Sequence, residues 1–359
     1  MDYAYVALQS YMVFTLSLIF AMIGLAIKIQ SEDIYMDEFD FIKSIQQKNY
    51  KQPSLIKGVG DDAAVFRSTY QDTVTSVDTF VENVHFSIET MKPYHIGYRA
   101  LAANISDMAA MGCNPAYYLV SIVIPKHWSE QQLADIFEGM KDLASVHNMD
   151  LLGGDTVSGN ELVLSITVIG FVDKDKARYR SNAVSGDRIF VTGTLGDSAA
   201  GLHVLLELDE KDQEPFSYFI NRHRMPTPRV SFAKRLQSLS RVALNDISDG
   251  IANEAAEIAE ASKVMMHINY EQIPSHHQLD QFDYDKTKEW KLSGGEDFEL
   301  IGTVSEKEWP LVVKIGEETN TKVTAIGYVS ELTNIAHNVM LYENNNKQVL
   351  HKSGYTHLK

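Results

Sequence analysis

The chain has 359 residues, of which 45% are hydrophobic and 22% are charged, and its formal net charge is −16. This length accommodates two domains with separate hydrophobic cores. The acidic balance argues against a nucleic-acid partner, because phosphate backbones are bound through an excess of Lys and Arg. The lone Cys113 excludes a disulfide or a Cys-based zinc site within one chain, and we interpret it as a small packing residue.

Near the N-terminus, residues 11–27 form an uncharged and mostly apolar run of 17, which is at the short limit for a membrane-spanning helix. If this run spans a membrane, Lys28 and Lys43 favour a cytoplasmic position for the rest of the chain. The alternative is that Met36 is the natural start and that residues 1–35 are upstream sequence that is not translated. We favour the alternative and expect a cytoplasmic protein, with a membrane anchor as the second interpretation.

The first half of the chain alternates between strand and helix patterns. An acidic helix is predicted over 37–47, and strand-like runs follow at 63–66 and 73–77. Apolar residues at helical spacing then predict two longer helices, and β-rich runs predict two strands. These helices cover 94–111 and 129–147, and the strands cover 117–124 and 162–172. Such alternation predicts a layered α/β or α+β domain.

A second unit begins at the turn near Gly186, and it repeats the alternation. Its predicted strands cover 188–192, 242–245, 264–269 and 298–304, and its predicted helices cover 197–208, 230–239 and 250–261. We therefore predict two domains divided near residue 180, an N-terminal one over 36–180 and a C-terminal α/β one over 181–359.

The most informative feature is a set of aspartates that stand beside glycine or small residues at the ends of predicted elements. They are Asp61, Asp62, Asp78, Asp107, Asp155, Asp246 and Asp249. Carboxylate oxygens are the ligands that Mg²⁺ prefers, usually together with water and substrate phosphates. Any one of these aspartates alone is more often a turn or cap residue. If they converge, their repulsion requires cations, so the set predicts a site where several Mg²⁺ ions assist phosphoryl transfer.

The stretch Gly193–Ser198 follows a predicted strand and opens a predicted helix. Its backbone N–H groups could bind an anion, or the glycines could simply form the strand-to-helix turn. The stretch lacks the Gly-Lys-[Ser/Thr] of a Walker A loop and does not match the dinucleotide-binding fingerprint.

Seven segments in order resemble the thiamine-monophosphate kinases, a family of the superfamily that includes aminoimidazole ribonucleotide synthetase and selenophosphate synthetase. The segments are GVGDDAAVF (58–66), SVDTFVENVHF (76–86), ALAANISDMAAMG (100–112), LLGGDTVSG (151–159), DRIFVTGTLGDSAAGL (187–202), NDISDGI (245–251) and SGGEDFEL (293–300). The resemblance implies a two-domain fold like that of aminoimidazole ribonucleotide synthetase, whose N-terminal domains pair in a homodimer and bind ATP near the junction. The implied reaction converts thiamine monophosphate and ATP into thiamine diphosphate and ADP.

The resemblance also implies roles for matching positions. The implied Mg²⁺ ligands are Asp62, Ser76, Asp78, Asp107, Asp155, Asp246 and Asp249, with Asp107 and Asp155 expected to matter most for catalysis. The implied ATP contacts are Gly154, Asp155, Arg180 and Ser248, with Arg178 as an alternative to Arg180, and the implied thiamine-phosphate contacts are His85, Glu296 and Tyr355. Val77 stands where the family often has a hydroxyl residue, so it could bind metal only through its carbonyl.

Three alternatives stay open at this point: one concerns the role of His85, and two concern the class of protein. His85 could be an ordinary half-buried histidine in a strand, and the protein could be another ATP-dependent enzyme of the superfamily. A third class is a non-catalytic nucleotide-binding protein, which the near-complete acidic set disfavours.

Overall fold

The structure, a computed structural model, describes residues 55–57, 64–67, 70–332 and 338–354. The strands are β1 (Leu55–Lys57), β2 (Ala64–Arg67), β3 (Gln71–Val81), β4 (Asn114–Pro125), β5 (Asp150–Gly159), β6 (Val163–Asp173), β7 (Asp187–Thr192), β8 (Val242–Ile247), β9 (Val264–Asn269), β10 (Glu299–Ser305), β11 (Val323–Glu331), β12 (Val339–Glu343) and β13 (Asn346–Val349). The helices are α1 (Pro93–Ala110), α2 (Glu130–Val146), α3 (Asp197–Glu207), α4 (Ser217–Arg224), α5 (Val230–Arg235), α6 (Ile251–Ser262), α7 (Tyr284–Ser293) and α8 (Trp309–Glu318).

The predicted helix over 37–47 and the apolar run over 11–27 lie outside the described residues. Among the residues that are described, no helix has both the length and the apolar character needed to cross a membrane.

Six strands form the first sheet, in the order β1-β2-β3-β6-β4-β5. The neighbours are antiparallel except β4 and β5, which run parallel. Along β6, half-buried and buried residues alternate up to the last position, which is the period-two pattern of a sheet with one face on the core. Strand β3 pairs with β6 over its whole length, with Asp78 opposite Ile166. This long pairing fixes the position of Asp78 near the end of β3.

Helices α1 and α2 cover the first sheet and touch each other backbone to backbone. A Cβ atom at Gly97 would stand 1.8 Å from the carbonyl oxygen of Ile136, and one at Gly139 would stand 2.0 Å from that of Tyr94. Glycine is therefore required at both crossing points, because any side chain would push the helices apart. Ser129 caps α2 with its side chain in a capping box.

Seven strands form the second sheet, in the order β13-β12-β9-β11-β7-β10-β8, with β9 and β12 parallel. One face shares an apolar core with α1, where Ile105 and Met108 of the helix belong to the same buried cluster as Phe190 and Leu300. The opposite face packs on α6 through residues such as Ile258. Helix α1 contacts β3 of the first sheet and β8 of the second, so it lies between the two strands that carry predicted metal ligands.

The helix predicted over 230–239 is too long: α5 ends at Arg235 and a 3₁₀ turn follows over Leu236–Ser238. The buried guanidinium of Arg178 donates to the carbonyls of Leu236 and Leu239. These hydrogen bonds satisfy backbone acceptors at the end of the helix, which would otherwise need N–H donors from a further helical turn.

The division of the chain near residue 180 stays a prediction, since all described residues fall within one compact unit. Cys113 is a buried free thiol whose pKa is raised by burial, consistent with a packing role.

Candidate functional site

Two aspartates from different sheets meet at the centre of the candidate site. Asp78 lies near the end of β3, and Asp246 lies near the end of β8, where it is 2% exposed. Burial raises the pKa of Asp78 to about 6, and the negative charge of Asp246 contributes to the rise. Burial also raises the pKa of Asp246, against the opposing effects of the Ser106 hydroxyl and the Arg180 charge. The protein thus holds two carboxylates together in a place that disfavours their charge.

Helix α1 connects the two strands that carry this pair. The Ser106 hydroxyl donates to Oδ2 of Asp246 at 2.7 Å, and the backbone N–H of Asp78 donates to Oδ1 of Asn104 at 3.2 Å. The Ser76 hydroxyl is buried and donates to the carbonyl of Asn104 at 3.4 Å. Asp107 follows on the same helix, half-buried and one turn beyond Asn104. One helix therefore positions three of the predicted ligand-bearing segments.

The donor chemistry of this pair fits a hard divalent cation. Carboxylate oxygens are preferred Mg²⁺ ligands, and a bound cation would offset the burial that raises the pKa of both carboxyl groups and the like charge that adds to the rise at Asp78. In the described ranges, no group of three or more His, Cys, Asp or Glu side chains is close enough to hold an ion. Asp62 lies outside those ranges. A site for several ions therefore stays a prediction, as does a contribution from the carbonyl of Val77, whose side chain is exposed.

Gly154 and Asp155 lie on β5, the strand at one edge of the first sheet, and both are exposed. Oδ1 of Asp155 accepts from the N–H of Thr156 at 2.9 Å. A Cβ atom at Gly154 would stand only 1.7 Å from the carbonyl oxygen of Val120 on β4. Close pairing of the two strands thus requires this glycine, independently of any bound nucleotide. The sequence analysis predicts no strand over 150–159, so β5 is an element that it missed.

The structure separates the two arginines that were alternatives for the ATP contact. Arg178 is buried, and its guanidinium donates a hydrogen bond to a backbone carbonyl that follows α5. Arg180 lies closer to the acidic pair: its Nε donates to Oδ1 of Asn245 at 3.1 Å, and its charge acts on Asp246. Arg180 is therefore the better placed of the two, and its contact with ATP stays a prediction.

The segment after β8 is held by a residue that the sequence analysis did not single out. Glu254, on the first turns of α6, accepts from the Asp249 N–H at 3.2 Å and from the Ser248 hydroxyl at 3.4 Å. It also accepts from the side-chain amide of Asn245. The chain passes through Gly250 at φ +97°, a conformation that favours glycine. A carboxylate near a helix N-terminus is a common capping arrangement, so position on the helix was the available signal.

Of the three predicted substrate contacts, Tyr355 lies outside the described residues. His85 is half-buried in the turn after β3 rather than in a strand, so the alternative of a strand histidine is corrected. Its Nδ1 accepts from the N–H of Val81 at 3.0 Å, which places the proton of the neutral ring on Nε2. Glu296 has a left-handed backbone with φ +65°, is about one-third exposed, and pairs with Arg99.

The turn Gly193–Ser198 does not offer its helix N-terminus to a ligand. The N–H groups of Gly196 and Ser198 donate to the carboxylate of Asp297 at 2.7 and 3.0 Å. Asp297 is 2% exposed and occupies the position that an external anion would need. The strand-to-helix turn is therefore the correct interpretation of this stretch.

The ionisation of Asp297 is expected to make the stability of the protein fall as the pH rises. Burial, followed by the negative charge of Asp197, raises the pKa of Asp297 to about 8, against the lowering effects of two backbone N–H groups and Arg222. A carboxyl group with a raised pKa contributes stability that is complete below its unfolded pKa and is lost as the pH passes the folded value.

We expect the free energy of unfolding of the wild type to fall between pH 6 and 8 by about 1 kcal/mol per pH unit relative to Asp297→Asn. Urea denaturation at several pH values measures the difference. Asp280→Asn, at an exposed position, is the control and should keep the wild-type slope. Parallel curves for wild type and Asp297→Asn would contradict the assignment.

The fold and site define a class of protein, the two-domain AIR synthase-related proteins. The N-terminal domain family of AIR synthase related proteins matches residues 60–172, and the C-terminal domain family matches residues 184–339. The chain belongs, more narrowly, to the thiamine-monophosphate kinase family. It is 45% identical over 328 residues to the thiamine-monophosphate kinase of Bacillus subtilis (strain 168), covering 90% of this chain and 100% of that protein.

Other relatives agree with this membership. The Haemophilus influenzae thiamine-monophosphate kinase is 34% identical, over 90% of this chain and 98% of that protein. The crystal structure of thiamine-monophosphate kinase from Stenotrophomonas maltophilia K279a has a TM-score of 0.71 and 31% identity, covering 84% of this chain and 94% of that one. AaThiL, solved in complex with AMPPCP and TMP, has a TM-score of 0.77 and 28% identity, covering 89% and 97%.

Proposed function

We propose that this protein phosphorylates thiamine monophosphate with ATP and releases thiamine diphosphate and ADP, the final step in making thiamine diphosphate. The observation that carries the proposal is the convergence of Asp78, Ser106 and Asp246 from two strands and α1, in a chain that belongs to this kinase family. The complex of a relative with AMPPCP and TMP supports the choice of both substrates.

The transfer we propose is direct and in line. An oxygen of the acceptor phosphate forms a bond to the γ-phosphorus while the bond to the β,γ-bridging oxygen breaks, and ADP leaves with the electron pair. A phosphate acceptor needs no strong general base, so the main task is to align two anions and reduce their repulsion. Mg²⁺ ions, when bound, would supply positive charge to the phosphates.

The protein's own groups divide this task. Asp78 and Asp246 would hold a cation, together with the predicted ligands Asp62, Ser76, Asp107, Asp155 and Asp249. Ser106 keeps Asp246 oriented through its hydrogen bond, and Arg180 adds a positive charge beside the pair. His85 and Glu296 would contact the thiamine phosphate, and Tyr355 would offer a flat face to the cationic thiazolium.

A homodimer and a cytoplasmic location belong to the same proposal. Strand β5 is at the edge of its sheet, and it exposes Leu151, Leu152 and Val157 by 46%, 55% and 49%. Unpaired edges with apolar side chains are usually covered by another surface, and a second copy of the chain would do this. Sedimentation equilibrium should give twice the chain mass. The buried free thiol of Cys113 is compatible with a reducing compartment.

Product analysis of the full-length protein with ATP, Mg²⁺ and thiamine monophosphate tests the activity. We expect equal amounts of thiamine diphosphate and ADP, and no product when thiamine replaces the monophosphate. A second preparation that begins at Met36 tests whether residues 1–35 matter for the reaction. With a γ-phosphorus made chiral by oxygen isotopes and sulfur, in-line transfer predicts inversion, whereas a phospho-enzyme predicts retention. Folded protein without product would direct the search to other superfamily substrates.

A further inference from the structure

Arg99 on α1 is 1% exposed and is among the largest fully buried side chains of the described chain. Its guanidinium forms an ion pair with the carboxylate of Glu296. A buried guanidinium is unfavourable unless a charge partner compensates for the lost water. The ion pair joins α1 to the segment before β10, which is distant in sequence, so it is a tertiary contact that the helix pattern does not explain.

The segment that carries Glu296 has an unusual backbone. Glu296 and Phe298 have φ values of +65° and +50°, which non-glycine residues rarely adopt. The N–H of Glu296 donates to the carbonyl of Ser248 at 2.6 Å, and Asp297 is held by the N-terminus of α3. The Arg99 guanidinium also lies 5.8 Å from the centre of the Phe298 ring. Such strained backbone persists only where its surroundings hold it.

The side chain of His223, which also lies beside Arg99, does not compete with the ion pair between Arg99 and Glu296. Nδ1 of His223 lies 3.4 Å from Nη1 of Arg99 and 3.2 Å from the Ser198 hydroxyl. Burial and the charges of Arg99 and Arg224 lower the pKa of His223 well below its usual value. His223 is therefore neutral at physiological pH and adds no competing positive charge beside Arg99.

The same face of α1 reaches the acidic pair. Arg99 and Ser106 are seven residues apart, so they lie on one side of the helix and about 10 Å apart along it. Ser106 holds Asp246, and Arg99 pairs with Glu296. One rigid helix thus contacts both the proposed cation site and the proposed substrate-contact segment.

We infer that Arg99 is a positioning residue for the transfer reaction. It fixes Glu296 relative to the acidic pair, so that the phosphate donor and the phosphate acceptor keep a fixed position relative to each other. The inference rests on the proposed function, in which Glu296 contacts the thiamine phosphate. Arg99 acts through Glu296 and does not itself touch the reacting groups.

The first test is the kinetic behaviour of Arg99→Met, which keeps volume and removes charge. We expect the KM for thiamine monophosphate to rise by about tenfold to a hundredfold, with the KM for ATP within about twofold of the wild type. Arg99→Lys should restore part of the loss, because it keeps the charge without the planar fork. Arg241→Met removes another arginine paired with a buried carboxylate, that of Asp187, and should leave both KM values unchanged. Equal changes in both KM values would overturn the inference.

A double-mutant cycle tests whether Arg99 acts through Glu296. If it does, adding Arg99→Met to Glu296→Gln should raise the KM for thiamine monophosphate by less than about threefold, although Arg99→Met alone raises it far more. Full multiplication of the two effects would show that Arg99 works independently of Glu296 and would refute the positioning role.

Hydrogen–deuterium exchange gives a readout that does not need turnover. In Arg99→Met, the amides of residues 294–298 should exchange faster, while those of α6 keep wild-type rates. Unchanged exchange in this segment overturns the inference even if the wild type is an active kinase. Conversely, faster exchange in the variant together with an inactive wild type would reject the proposed substrates and leave the positioning contact established.

Discussion

Asp246→Asn is expected to lower turnover by about a thousandfold, because it removes one of the two converging carboxylates that would hold the cation charge at the phosphates. The same change is expected to stabilise the metal-free protein by about 1 kcal/mol, because a buried charge beside Asp78 disappears. An Asn side chain can still accept the Ser106 hydrogen bond through its Oδ1. The variant should therefore keep its fold while it loses its activity.

Urea denaturation without and with Mg²⁺ measures the effect on stability, and initial rates at saturating substrates measure turnover. Mg²⁺ should stabilise the wild type and have little effect on Asp246→Asn, since binding to the folded state alone shifts the unfolding equilibrium. Asp173→Asn, an equal charge change at an exposed end of β6, serves as the control. A metal-free variant that is less stable than the wild type, or one with near-normal turnover, would contradict the cation site at this pair.

Asp155→Asn is the second change with a large expected effect on activity. Turnover should fall by about a hundredfold or more, because the predicted role of Asp155 is to hold a Mg²⁺ ion whose positive charge would stabilise the phosphates in the transition state. Asp155 is exposed on β5, so the free energy of unfolding should stay within about 0.5 kcal/mol of the wild type. We therefore expect a large loss of activity without a matching loss of stability.

Asp150→Asn is a matched control for this change, because Asp150 is also exposed and begins the same strand. It should keep both stability and turnover. A titration of the Asp155→Asn rate with Mg²⁺ should show a higher half-saturating concentration than in the wild type. If Asp150→Asn and Asp155→Asn had the same small effect, Asp155 would be only a surface residue of an edge strand.

The local pattern of apolar residues was sufficient to predict the regular helices and strands of the core. The helix predicted over 94–111 is α1 at Pro93–Ala110, and the strand predicted over 162–172 is β6 at Val163–Asp173. In both cases, the spacing of apolar residues repeats the geometry of the element that buries them. Such periodicity is a property of neighbouring residues, so the sequence carries it without knowledge of distant contacts.

Strand β5 shows where this information fails. Its sequence, DLLGGDTVSG, contains residues that disfavour strands, and its side chains are almost all exposed. Its structure depends on parallel pairing with β4, which needs the close approach that Gly154 permits beside Val120. A strand formed by a partner rather than by its own pattern cannot be found from local spacing.

By itself, the sequence determined the layered α/β character, the main elements, the family resemblance and the acidic residues that could hold a cation. Tertiary structure decided that Asp78 and Asp246 lie close together, each held by α1. It also decided that Arg178 donates to backbone carbonyls after α5, and that the Asp297 carboxylate accepts from the backbone N–H groups of the turn before α3. The physical reason is that charge repulsion, burial and hydrogen bonding depend on distances between residues far apart in the chain, and those distances exist only once the two sheets have packed on α1.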